Sequence, residues 1–354
     1  MVRVMGIVIE VVRLGMMTPV GASAGATAAA VRAGISRIRD LPIRDTHFRP
    51  YRGAAVPEEV LPPAPDGTGL PGRLLRLLRL SIPALREAAG GCGRPVTLLL
   101  GLPDDADPRF RASFFSALAQ ASEVPLDLSK SQCFAGGRSA GLLAMRHGAR
   151  MLSSGDCAEL VVGGVDCLTD PVTLLRLEDE RRLPRRHGPS DALHPGEAAA
   201  FVTLAVRRHA ARRSAPALAC VASMGMGHEP GHLSSREPHR GEGLTQAFRT
   251  LFEGLPRDAP PVRCVYAGFT GERYFAMEWG TASLRTRQYF AEEVRMVHPA
   301  ENMGDVGAAQ GPLMVGLAAR GLHKQYCEGP ILVWSSSDRA ERAAVLLRDS
   351  MGQG

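Results

Sequence analysis

Lysine is almost missing from this chain: Lys130 and Lys324 are the only two among 42 basic residues, the rest being arginine. Aromatic residues are also scarce, at 5%. The formal net charge of +6 is spread along the chain, with small clusters at Arg73–Arg79, Arg181–Arg186 and Arg207–Arg213. A nucleic-acid face needs a basic stripe interleaved with aromatic stacking platforms, so no nucleic-acid partner is expected and the arginines read as solvated surface. The seven cysteines (92, 133, 157, 167, 220, 264 and 327) stand singly, without a CxxC pair. That odd number is neither a disulfide framework nor a zinc spacing. His228, His232 and His239 crowd one loop, but their spacing matches no familiar metal site. A reducing, cytoplasmic setting with no metal and no cofactor is the expectation. Long apolar runs are absent too. The run Val4–Ile9 is cut by Glu10 and Arg13, too short for a signal peptide, and nothing approaches the length that crosses a bilayer.

What is present is an ordinary globular composition, 45% hydrophobic and 22% charged over 354 residues. Strand-like and helix-like segments alternate, which indicates α/β layering. The pattern predicts a strand at Val4–Val12, a Thr18–Pro19 turn, and a small-residue helix ending at Gly34. Residues 49–72, rich in Pro and Gly, read as an irregular loop. Helices are predicted at Leu74–Ala89, Phe110–Ala121 and Gly136–Ser153, with strands at Val96–Gly101, Glu159–Val165 and Ala198–Val206. A similar run follows: strands at Ala217–Met224, Val262–Ala267 and Val294–His298, helices at Leu244–Leu255, Tyr274–Ser283 and Gly307–Leu322, then strands at Pro330–Ser335 and Ala343–Leu347.

The stretch Ser131-Gln132-Cys133-Phe134-Ala135-Gly136-Gly137-Arg138-Ser139-Ala140-Gly141 carries the most chemistry. Read locally, it sets one cysteine just before a helix. The positive end of the helix dipole favours a thiolate there, and the free N–H groups of the first turn can hold an oxyanion. By itself a lone cysteine before a helix is more often a buried structural thiol. Arg138 reads as an exposed helix arginine, or as a charge that lowers the thiol pKa.

Further motifs follow in order. They are Gly155-Asp156 ahead of Gly163-Gly164, Gly196-Glu197-Ala198-Ala199, and Asn302-Met303-Gly304-Asp305-Val306-Gly307-Ala308-Ala309. With Met17-Thr18-Pro19-Val20-Gly21 near the start, the sequence resembles the β-ketoacyl synthases of the thiolase superfamily over nearly its whole length. The resemblance implies an α/β fold, a thiolase-like αβαβα five-layer sandwich of two similar halves, here 1–206 and 207–354. It also implies a homodimer and a nucleophilic cysteine, carried onto Cys133, that takes an acyl group from a thioester. Two histidines, or a histidine and an asparagine, would then stabilise the enolate.

Those partners are missing here. The first histidine's segment reads Tyr266-Ala267-Gly268-Phe269-Thr270-Gly271, Asp305 stands in place of the second, and the supporting lysine is gone. The Gly-rich gate loop is replaced by Ser335-Ser336-Ser337-Asp338-Arg339-Ala340. A carboxylate repels a developing enolate, and loss of one oxyanion donor costs about 10²–10³ in rate. His298 is the remaining candidate base for Cys133, against a locally bonded strand-end histidine. Glu197 reads as structural. Glu272, Arg273, Glu278 and Trp279 read as a partner surface or as an ion pair filling the emptied pocket.

Two readings stay open. In the preferred one, a synthase-like protein with a degenerate site (Cys133, His298, Asp305) keeps acyl binding or acyl transfer without decarboxylative condensation. An acyl carrier protein or acyl-CoA thioester is then the partner. In the other the chain is a catalytically inactive dimeric scaffold, either an accessory protein of the kind found beside type VI secretion effectors or a partner subunit like the chain-length factors.

Overall fold

The computed structural model describes residues 7–65, 72–90, 94–184, 191–207 and 216–350. The first half runs β1 (Ile9–Met17), α1 (Ala24–Arg32), β2 (Arg39–Arg44), β3 (Pro50–Gly53), α2 (Gly72–Ala89), β4 (Thr97–Gly101), α3 (Pro108–Ser122), β5 (Gln132–Phe134), α4 (Ala140–Ser154), β6 (Glu159–Cys167), α5 (Pro171–Asp179) and β7 (Glu197–Val206). The second runs β8 (Ala219–His228), α6 (Glu242–Glu253), β9 (Val262–Tyr266), α7 (Arg273–Arg285), β10 (Phe290–Val297), α8 (Ala300–Met303), α9 (Gln310–His323), β11 (Ile331–Ser336) and β12 (Glu341–Arg348).

The strands order as β10-β9-β11-β12-β8-β1-β7-β6-β4-β5. Each half therefore repeats one pattern outward from the centre. In the first, β4 pairs parallel with β5 and β6, while β6–β7 and β7–β1 are antiparallel. In the second, β9 pairs parallel with β10 and β11, while β11–β12 and β12–β8 are antiparallel. A short antiparallel contact, Ile9–Val11 against Ala219–Val221, joins the halves.

Period-two alternation decides which side chain enters which layer. From β6, Leu160 and Val162 turn inward toward α4 and α9, while Val161 and Val165 turn outward toward α2 and α3. From β11, Ile331 and Val333 turn inward, while Leu332 and Trp334 turn outward into the layer that contains α6 residues. One central core thus contains both inner helices and the inner face of both halves, with a separate outer core on each side. These are the five layers, helix–sheet–helix–sheet–helix. The two inner helices meet closely. A Cβ added at Gly141 would lie 2.3 Å from Cδ of Pro312, so only glycine permits that crossing.

Most predicted elements are present with shifted ends. The opening strand lies at Ile9–Met17 rather than Val4–Val12, and residues 1–6 fall outside the described set. The loop expected over residues 49–72 is partly wrong: Pro50–Gly53 pairs with Arg39–Arg44 as a hairpin, Glu58–Val60 forms a 3₁₀ turn, and residues 66–71 lie outside the described residues. Among the described residues no helix is long and apolar enough to cross a membrane.

Candidate functional site

The turn from β5 into α4 corrects the placement of Cys133. The cysteine lies within β5, paired with Leu100 of β4, rather than at the start of the helix. Phe134 continues the strand. Gly136 (φ 148°) and Gly137 (φ 50°) then redirect the chain through a 3₁₀ turn at Gly137–Ser139, and the α-helix starts only at Ala140. The thiol packs against the outer core beside α3, where Cys133, Gln132, Pro108, Arg111 and Phe115 help line an open cavity of about 300 Å³. Burial pushes the Cys133 thiol up to about 11, with Arg111 opposing. A thiol so placed stays protonated at neutral pH, the reverse of the activation expected at a helix N-terminus.

The charged side chain at that turn is Arg138, and it is 4% exposed. Its Nε and Nη2 donate to Oδ2 of Asp305 at 2.8 and 2.6 Å, and Nη1 donates to Oδ1 of Asp338 at 2.5 Å. The guanidinium also lies over the Phe275 ring, 5.0 Å from its centroid. Asp305 reaches it from the loop between α8 and α9, where its other oxygen accepts the Gly307 N–H. Asp338 comes from the β11–β12 loop and also accepts from Arg182, whose Nε and Nη2 donate to the two oxygens of Glu272 at 2.7 and 2.9 Å. Five side chains, three acidic and two basic, thus interlock at the junction of the halves.

Burial lowers an arginine pKa and raises a carboxyl pKa, but opposite charges within hydrogen-bonding reach reverse both. Arg138 is therefore held well above its ordinary value by Asp305 and Asp338. Asp338, despite burial, is held well below the usual carboxylate range by Arg138 and Arg182. Arg182 is likewise held above its ordinary value by Glu272 and Asp338 despite burial, so both arginines and Asp338 stay ionised through the physiological range.

His298 does not join this cluster. It follows the last residue of β10, with Nδ1 3.1 Å from Oε1 of Glu301 and its ring edge-on to Phe269 at 5.1 Å. The strands carrying Cys133 and leading to His298, β5 and β10, are opposite edges of the sheet order. Among the described residues no hydrogen bond joins Cys133 to His298 or to Asp305. Of the three residues expected to share a site, only Asp305 lies in it.

Several arginines expected as solvated surface also point inward. Arg138 is buried in the cluster and Arg182 is partly buried there. Arg73 pairs with Asp105, Asp166 and Asp170, and Arg76 with Glu58 and Glu197. Arg185 and Arg186 lie outside the described residues, as does Arg207–Arg213 beyond its first residue. Glu197 is fully buried and structural: it accepts from Arg76, the Val56 N–H and Thr169. Glu272 and Glu278 form ion pairs, to Arg182 and Arg342, and Trp279 stacks on Trp334. The signal available for Arg138 was its isolation, since it is the only charge between Lys130 and Arg146. A lone charge in an apolar run that also enters a helix needs a partner.

No protein-family model matches the chain. Solved structures do match it across its length. The ishigamide ketosynthase/chain length factor superposes with a TM-score of 0.78 at 16% identity, covering 97% of this chain and 99% of that one. The fold is thiolase-like, of the ketosynthase type. The structure titled as a type II PKS acyl-carrier protein in complex with its ketosynthase matches at 0.79 and 15% identity, covering 97% and 99%. A β-ketoacyl synthase from Burkholderia phymatum STM815 matches at 0.76 and 15% identity, also covering 97% and 99%. At such identities the ketosynthase likeness carries the architecture alone.

Proposed function

We propose that this ketosynthase-fold chain does not condense acyl groups, and that it serves as a protein-binding scaffold, a partner to a second ketosynthase-fold subunit. One observation carries the reading. In the strand-to-helix turn that follows Cys133, the residue onto which the resemblance carries the nucleophile, the chain puts Arg138, locked between Asp305 and Asp338. A guanidinium cannot accept an acyl group, and two carboxylates at 2.5–2.6 Å occupy the space where an enolate oxygen would need donors. Acyl transfer by Cys133 is the weaker reading, because that thiol sits on the outer face of an edge strand with its ionisation suppressed.

A partner role fits the company the fold keeps. One matching structure is titled a ketosynthase/chain length factor, and in another a ketosynthase is in complex with an acyl-carrier protein. We also place the boundary between the halves at 206/207. That division is supported by the end of β7 at Val206 and the start of β8 at Ala219, where the strand pattern begins again.

The test is to incubate the purified chain with acyl- and malonyl-carrier-protein thioesters and follow intact mass and CO₂ release. The expected result is no adduct and no decarboxylation above the uncatalysed rate. An acyl adduct that disappears in Cys133→Ala would overturn the proposal in favour of transfer on that thiol.

A further inference from the structure

We propose that Glu229, His239 and Glu278 form a binding site for a divalent first-row transition cation, with zinc as the probe. The three come from separate places: Glu229 just after β8, His239 in the loop before α6, and Glu278 on α7. One ligand atom from each lies within 4.8 Å of the others. An imidazole with two carboxylates suits zinc or manganese, whose bonds to N and O run about 2.0–2.2 Å, so a modest inward movement brings all three onto one ion.

A second observation points the same way. Glu229 is 1% exposed, and while Oε2 accepts the Gly243 N–H at 2.8 Å, Oε1 has no partner. His239 Nε2 is likewise buried without a hydrogen-bond partner, 3.7 Å from Oε1 of Glu278. A dry carboxylate oxygen and a ring nitrogen left unmatched together are costly. A cation between them satisfies both. The His239 ring is held in place by Tyr274, whose centroid is 4.4 Å away and whose hydroxyl donates to the Gly231 carbonyl.

Arg342 tempers the charge. It donates from Nε to Oε1 of Glu278 at 2.6 Å, so two carboxylates and one guanidinium leave one negative charge for the cation to meet. Arg342 also donates to the carbonyls of Ser337 and Arg339, on either side of Asp338. An ion here would tie the loop 229–241 to the loop that carries Asp338. His228 and His232 are not part of the cluster. The competing occupant is a proton, which would turn His239 into an imidazolium bridging the two carboxylates.

The test uses the full-length chain stripped with EDTA, then loaded with Zn²⁺ or Mn²⁺ and analysed by calorimetry and by elemental analysis after gel filtration. One equivalent per chain is expected. The dissociation constant should rise at least tenfold in Glu229→Gln and in His239→Ala, while His228→Ala/His232→Ala keeps the wild-type value. Circular dichroism reports whether each variant folds. Substoichiometric metal on the wild type, binding unchanged in Glu229→Gln/His239→Ala, or loss that follows His228 and His232 would each overturn the site. A wild type whose melting temperature ignores Zn²⁺ but rises on acidification through the histidine range would assign the cluster to the proton instead.

Discussion

The turn from β5 into α4 and the turn from β10 toward α9 hold equivalent places in the two halves, yet they carry opposite charges. The first presents Arg138 and the second Asp305, and the inner crossing of α4 with α9 brings the two together. A duplicated α/β unit sets its two strand-to-helix turns face to face, so whatever stands in one must be matched by the other. An arginine in one turn and a carboxylate in the other make a closed, paired junction with its hydrogen-bond capacity used internally. The lesson is that the chemistry of such a junction belongs to the pair of turns and not to either alone.

The sharpest way to break the comparison is to remove one side of it. Arg138→Ala leaves Asp305 buried without its counter-charge and Asp338 with one arginine in place of two. The expected loss in chemical denaturation is about 3–5 kcal/mol, typical for half of a buried ion pair. Arg138→Gln/Asp305→Asn, which neutralises both turns at nearly constant shape, should recover most of that loss. If it falls by the sum of the single variants, the turns act independently.

A smaller effect comes from the third partner. Asp338→Asn should cost about 1–3 kcal/mol at neutral pH, through weakened bonds to Arg138 and Arg182. The folded-state pKa of Asp338 is depressed, so its contribution is present above the unfolded value near about 4 and is lost as pH falls through the folded value. Urea midpoints of wild type and Asp338→Asn should therefore converge as pH drops from about 5 toward 2. A gap that persists at the acid end would mean that packing, not charge, holds the loop.

The smallest effect sharpens the contrast between Arg138 and the cysteine seven positions before the helix. With its pKa pushed up to about 11, Cys133 should react with iodoacetamide at pH 7.5 about a hundredfold more slowly than a free thiol. Cys133→Ser should change stability by no more than about 1 kcal/mol. Rapid alkylation in a mass-spectrometric time course would restore an activated thiol at this position.

The architecture was largely legible from periodicity. The short apolar run Leu98-Leu99-Leu100 states its type through its length and bounding turns, and the amphipathic run Leu74–Ala89 through its spacing. The β2–β3 hairpin was not, because Pro42, Pro50 and the glycine at 53 carry loop signals that its pairing overrides. For the site, Asp305 stands in one of the quoted motifs, whereas the helix after Cys133 begins at Ala140, four residues later than expected: the run Ala135-Gly136-Gly137 does not tell where a strand ends and a helix starts. The two positive φ angles that decide it are set by what surrounds the turn, including Asp104, whose carboxylate would meet any Cβ at Gly137 at 2.6 Å.

By itself the sequence determined the layering and the repeated order of elements, because those follow from local period. Only the tertiary structure decided which charges meet. Arg138, Arg182, Glu272, Asp305 and Asp338 are spread across 201 positions of chain, and no local pattern couples residues that far apart. Burial in one junction selected their partners, since a charge that leaves water must find its opposite there.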